Sequence, residues 1–155
     1  MSPNTDARNK YNVSPSESRT LHGKVYPSKA EMLYAKALYD NRESGTVIEY
    51  IEQPRCVLGE DTVYHPDFFV VPNVSGNRWY GPEAEWVAGL GVTLLSGRKM
   101  VFYVDVKGVS TPSFNRSKKL WVKYARHCLY VVKFDYGKRE FYTEVIVEPK
   151  RIYGN

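Results

Sequence analysis

Five short β-prone runs and two helical ones follow one another in an order that few architectures accept. The β-prone runs are "TVIEYIEQ", "TVYHPDFFVV", "KMVFYVDVKG", "LYVVKF" and "FYTEVIVEP". The stretch "SKAEMLYAKALYDNRESG" precedes the first three, and "FNRSKKLWVKYARHC" separates them from the last two. The order α-β-β-β-α-β-β predicts an α/β (α+β) fold, a mixed central sheet of about five strands flanked by helices. In the first helical run, Met32, Leu33, Ala35, Leu38 and Tyr39 supply a broad apolar face;. Ser28 and Glu31 fit a capping box there, and Gly45 supplies a stop;. The first two β runs read as antiparallel neighbours with a turn near Gly59–Asp61;. Pro66 has no N–H to give to a ladder, so the second run should be irregular or exposed at that point.

The chain has 155 residues, enough for one domain with a core of its own;. Residues 1–27, rich in Asn, Ser and Pro, read as a flexible arm that orders on binding;. Residues 28–155 read as a single domain, interrupted at about 73–99 by a glycine-rich insertion in which "PEAEWVAGL" suggests a short helix;. No apolar run approaches the roughly 20 residues that cross a bilayer. The polar N-terminus lacks the apolar stretch of a signal peptide, so a cytoplasmic setting without membrane contact is expected;. Cys56 and Cys128 have no metal-ligand spacing and read as reduced thiols;.

Charge is divided unevenly. Residues 1–97 hold 9 Lys/Arg and 12 Asp/Glu, a balance of −3, whereas residues 98–155 hold 13 and 5, a balance of +8. A basic half of this kind suits a polyanionic partner, nucleic acid first, although a solubilising surface would read the same way.

The chemistry gathers in two short stretches. In "HPDFFVV", Asp67 stands beside Phe68, Phe69, Val70 and Val71; a carboxylate at that edge is either a turn residue following Pro66 or a charge with a task;. In "YVDVKG", strand alternation puts Asp105 and Lys107 on one side with Val106 turned into the core, and Gly108 allows a sharp turn;. Were the two strands paired, Asp67 and Asp105 with a backbone carbonyl such as that of Val106 would suit Mg²⁺, which prefers hard oxygen ligands. Such an ion can polarise a water toward a phosphodiester, with Lys107 neutralising charge on phosphorus. On exposed strands, however, a D-x-K triplet is ordinarily a solvated pair.

Together the two stretches resemble the PD-(D/E)xK nuclease superfamily, most closely its small phage-type Holliday-junction-resolving endonucleases. The match runs through Pro66–Asp67 and Asp105–Val106–Lys107 and covers roughly residues 28 to 134. The resemblance implies a restriction-endonuclease-like core and a Mg²⁺-dependent endonuclease, with Mn²⁺ as a substitute ion. It adds Glu31 on the preceding helix to the catalytic set of Asp67, Asp105 and Lys107, and Lys118 or Lys119 near the site. Glu31 also reads simply as the capping partner of Ser28. Branched DNA is the implied substrate and a homodimer the implied assembly. Duplex-cutting restriction, repair or transposition enzymes share the same site, and a non-cleaving DNA-binding module is the remaining alternative.

Arg116, Lys119, Lys123 and Arg126 are spaced by 3, 4 and 3, which on a helix gives one basic stripe for DNA phosphates;. Lys118 lies off that stripe and would lean toward the metal. Leu120, Trp121, Tyr124 and Cys128 would form the inner face;. Trp79, Tyr80 and Trp86 are candidates for recognition or a subunit contact, and His65 for a supporting group beside Asp67.

Overall fold

The computed structural model describes residues 15–73, 83–87, 89–95, 101–107 and 112–150. Strands β3 (Val47–Glu52), β6 (Phe68–Pro72), β9 (Phe102–Val106), β10 (Leu129–Asp135) and β11 (Glu140–Val147) form one mixed sheet in the order β11-β10-β9-β6-β3. The pairs β3–β6, β6–β9 and β10–β11 are antiparallel, and β9–β10 is parallel. A parallel pair needs a crossover, and helix α2 (Pro112–Tyr124) supplies it;. The run "FYVDV" of β9 is apolar almost throughout because it is the middle strand, buried on both faces;.

Two apolar clusters flank the sheet. Helix α1 (Lys29–Glu43) packs Tyr34, Ala35 and Leu38 against Phe68, Val70, Phe102 and Val104. Phe114 and Trp121 of α2 pack with Leu58, Leu129, Val131 and Val147. The N-terminus of α1 is capped as its sequence suggests, Ser28 Oγ accepting the Glu31 N–H at 3.1 Å;. Its C-terminus closes through Gly45, whose φ of +88° suits a residue without Cβ;. The apolar face is shifted from the expected one, because Tyr34, fully buried, is its anchor: its hydroxyl donates to the Leu90 carbonyl.

Four expectations about boundaries are corrected. The expected arm is structured from Ser16, where a 3₁₀ turn leads into the hairpin of β1 (Thr20–Leu21) and β2 (Lys24–Val25). His22 and Gly23, both at positive φ, make its tight turn, and Tyr26 is buried in the core;. Residues 1–14 of that arm lie outside the described residues. The run "TVYHPDFFVV" is broken at His65–Pro66–Asp67. Its first part, β5 (Val63–Tyr64), pairs with β4 (Cys56–Val57), and only its second part, β6, joins the main sheet.

Within the insertion, the described residues of "PEAEWVAGL" form a strand and a turn rather than the expected helix. β7 (Glu83–Val87) pairs with β8 (Val92–Leu95), and Gly89 and Gly91, at φ +86° and +65°, turn the chain between them. Finally, α2 stops at Tyr124, short of Arg126 and Cys128. The Trp121 indole donates to the His127 carbonyl, which folds the following chain back, and Tyr124 is exposed rather than inward. Cys56 and Cys128 are not joined in a disulfide. Among the described residues, no helix is long and apolar enough to cross a membrane.

Candidate active site

The two sequence stretches meet where β6 and β9 part. Phe68 faces Val104 across the antiparallel ladder. Two residues further, Pro66 has no N–H with which to continue it, and side chains take over. The Asp67 N–H donates to Asp105 Oδ1 at 3.0 Å, and the Val106 N–H donates to Asp67 Oδ2 at 2.7 Å. Each carboxylate thus satisfies a backbone donor of, or next to, the other. Asp67 therefore does more than turn the chain.

Asp105 is 1% exposed and is the buried charged side chain among the described residues. Its Oδ2 accepts no hydrogen bond, and the Lys107 ammonium stands 3.7 Å away, at ion-pair range but beyond hydrogen-bond length;. Strand alternation brings Lys107 to the same side as Asp105, and the ring of Phe114 on α2 holds it there, with Nζ 4.5 Å from the centroid;. The Lys118 ammonium lies 5.1 Å from that same centroid. Of the two lysines considered for the rim of the site, Lys118 is the one that shares its aromatic platform, and Lys119 is exposed.

Glu31 completes the group from the first turn of α1. Its N–H serves the Ser28 cap, but its carboxyl hydrogen-bonds Asp67. Burial, and then the charges of Asp67 and Asp105, push the Glu31 carboxyl up to about 8. Burial raises Asp105 to about 6, with Lys107 opposing the shift. Asp67 is also raised by burial, against the Val106 N–H and the Lys107 ammonium. Three acids facing one ammonium in a poorly solvated pocket cannot all ionise, so near neutral pH Glu31 retains a proton that it shares with Asp67.

A hard cation fits this arrangement. It would relieve the carboxylate repulsion and would meet the Asp105 oxygen that lacks a donor;. Among the described residues no three His, Cys, Asp or Glu side chains form a ready-made metal cluster. The ion would accordingly take Asp67, Asp105, a backbone oxygen such as that of Val106, and water, the mixed shell that Mg²⁺ accepts.

The charged cluster predicts a pH dependence. A carboxyl whose folded pKa exceeds its unfolded value binds protons more tightly in the native state. The stability it contributes is complete below its ordinary value of 4.5 and is lost as the pH rises through about 8 for Glu31. In EDTA the Tm should therefore fall as the pH is raised from 5 to 8.5. Glu31→Gln keeps a donor to Asp67 without the charge. Its half-buried position reduces the gain to about 1–2 kcal/mol at pH 8.5. That is roughly 3–6 °C in Tm. Thermal melts across this range check the slope, and parallel curves for wild type and Glu31→Gln would refute it.

The basic stripe is shorter than expected. Arg116, Lys119 and Lys123 are exposed on α2, but Arg126 lies past the end of the helix. His65 is exposed and meets the Gln53 carbonyl rather than Asp67, with Nδ1 at 3.4 Å. Gln53 itself, unremarked in the sequence, places Nε2 3.3 Å from Asp67 Oδ1. Gly108, Trp79 and Tyr80 lie outside the described residues, as does the side chain of Trp86 on β7. No known protein family, curated protein or solved structure matches this chain.

Proposed function

We propose that this protein is a Mg²⁺-dependent endodeoxyribonuclease with a restriction-endonuclease-like core, acting in the cytoplasm on branched DNA such as Holliday junctions. One observation carries the reading: Asp67 and Asp105 interlock at a strand divergence, with a donor-less carboxylate oxygen buried beside Lys107.

In this reading Asp67, Asp105 and the Val106 carbonyl would hold the cation. When bound, Mg²⁺ supplies charge neutralisation at the phosphate and polarisation of water. Lys107, its ammonium over the Phe114 ring, presents a positive charge to the scissile phosphate, where negative charge builds in the transition state;. Glu31 holds a proton against Asp67 and would release it to solvent on cation binding, so cation uptake would strengthen as pH rises. Arg116, Lys119 and Lys123 contact backbone phosphates, with Lys118 nearer the cut. Cutting two opposed strands of a junction calls for two sites and hence a symmetric homodimer.

Purified protein should cleave a four-way junction in Mg²⁺ or Mn²⁺, faster than flap, linear duplex or single-stranded DNA, and not in EDTA. Equal rates on duplex and junction would move the assignment to a duplex nuclease. Binding without cleavage in either ion would reduce the protein to a DNA-binding module. Changing Arg116, Lys119 and Lys123 together to Ser should lower the log–log salt slope of DNA binding by roughly 2–3. Fluorescence anisotropy from 50 to 300 mM salt reads it, and an unchanged slope would remove that face from the interface.

A further inference from the structure

Gln53 occupies a backbone conformation that its side chain does not favour. It follows the last residue of β3, precedes Pro54 and has a φ of +52°, in the left-handed region. Asn, Asp or Gly would sit there with less strain. Nor does packing explain the choice, since Gln53 is exposed.

What Gln53 does is hold Asp67 twice. Its backbone N–H donates to the Asp67 carbonyl at 2.9 Å, extending the β3–β6 ladder by one step. Its side-chain Nε2 donates to Asp67 Oδ1 at 3.3 Å. With the Val106 N–H on Oδ2, both oxygens of the Asp67 carboxylate are held by directional donors, besides the proton shared with Glu31. The type of donor matters. An Arg or Lys in this place would cancel the charge of Asp67 and compete with a cation. A carboxamide fixes the orientation of the carboxylate while leaving its charge intact, and Asn is one methylene too short for the same reach. Strain kept at a site residue, with a side chain long enough to reach the carboxylate, indicates a task beyond turning the chain.

We propose that Gln53 is a positioning residue that orients the Asp67 carboxylate to receive the divalent cation. The proposal rests on the reading of Asp67 and Asp105 as cation ligands.

Two variants separate this role from a structural one. Gln53→Met keeps the length of the side chain and removes the donor. Gln53→Gly removes the donor and relieves the strained φ. Mn²⁺ alone, titrated calorimetrically into metal-free protein, should bind each variant about 10-fold more weakly than wild type. Melting in EDTA should show Gln53→Met close to wild type and Gln53→Gly higher by a few degrees, about the usual gain from relieving such a residue. In junction cleavage, the half-saturating Mg²⁺ concentration should rise by a similar factor, with the rate at saturating Mg²⁺ changed less than about threefold. A merely structural Gln53 predicts Mn²⁺ affinity equal to wild type in both variants, and that result would overturn the proposal while leaving the cation site standing. A wild-type chain that takes up no Mn²⁺ at millimolar concentration would overturn the cation site itself, and this role with it.

Discussion

Asp105→Asn is expected to lower Mg²⁺-supported DNA cleavage at least about 10³-fold, equivalent to ~4 kcal/mol of barrier, while leaving the fold at least as stable as wild type. The two effects diverge because the side chain serves them with different atoms. Oδ1 accepts the Asp67 N–H, and an amide oxygen can do the same. Oδ2 has only the Lys107 ammonium near it, at 3.7 Å. Burial presses the carboxyl up to about 6, so ionisation at neutral pH costs the fold something that an amide does not. Lys107, 27% exposed, can turn to water when its partner loses charge. The amide, however, offers the cation a neutral group in place of an anionic one, and the strongest ligand is gone. Melting in EDTA and single-turnover cleavage with equal DNA occupancy read the two effects separately. A stable variant that cleaves at the wild-type rate would remove Asp105 from the chemistry; a variant that loses both fold and activity would mark it as structural.

Gly91→Ala should be the most damaging small change to stability away from the site. A Cβ at Gly91 would lie 2.6 Å from the carbonyl carbon and oxygen of Phe141 and 2.8 Å from the Tyr142 nitrogen, all backbone atoms of β11. These cannot swing aside as a side-chain tip could, and a φ of +65° is strained for Ala in any case;. Pushing this segment off β11 would also withdraw Leu90 and Val92, both in the core, and the Thr143 hydroxyl's bond to the Gly91 carbonyl. The expected loss is about 3 kcal/mol. For a chain of this length that is roughly 6–12 °C in Tm. Cleavage at 25 °C should persist, because Gly91 packs on β11 and not on the strands that position Asp67 and Asp105. A Tm within about 2 °C of wild type would show that the insertion is not anchored as described.

The same segment shows where sequence reading reaches its limit. The meeting of "HPDFFVV" with "YVDVKG" was legible because paired β runs bring residues together at a fixed period, and Pro66 marks where the ladder must fail. The Ser28 cap was legible because capping is local. Tyr34 and Leu90 were not, since their contact joins residues far apart in sequence, and a tyrosine with a hydroxyl to satisfy looks no more apolar than its neighbours. "EAEWV" alternates at period two, yet its alanine, glutamates and flanking proline also fit a helical turn. Gly89 and Gly91 decide for the hairpin. Residues 16–26 are polar enough to read as an arm, and only the His22–Gly23 turn and Tyr26 hold them to the fold. Gln53 carried no signal, because its backbone strain exists only in the folded chain. The early end of α2 at Tyr124, which removes Arg126 from the stripe, follows from a bond between the Trp121 indole and a backbone carbonyl six residues on.

The central claim concerns a place for a divalent ion. Diffraction from crystals of the protein soaked in Mn²⁺, recorded at the manganese edge, tests it without reference to substrate. The account predicts an anomalous peak at about 2.1 Å from one oxygen of Asp67 and from Asp105 Oδ2, with Glu31 no longer bonded to Asp67. Ordered side chains with no peak between these two aspartates, or manganese bound only elsewhere on the protein, would contradict it.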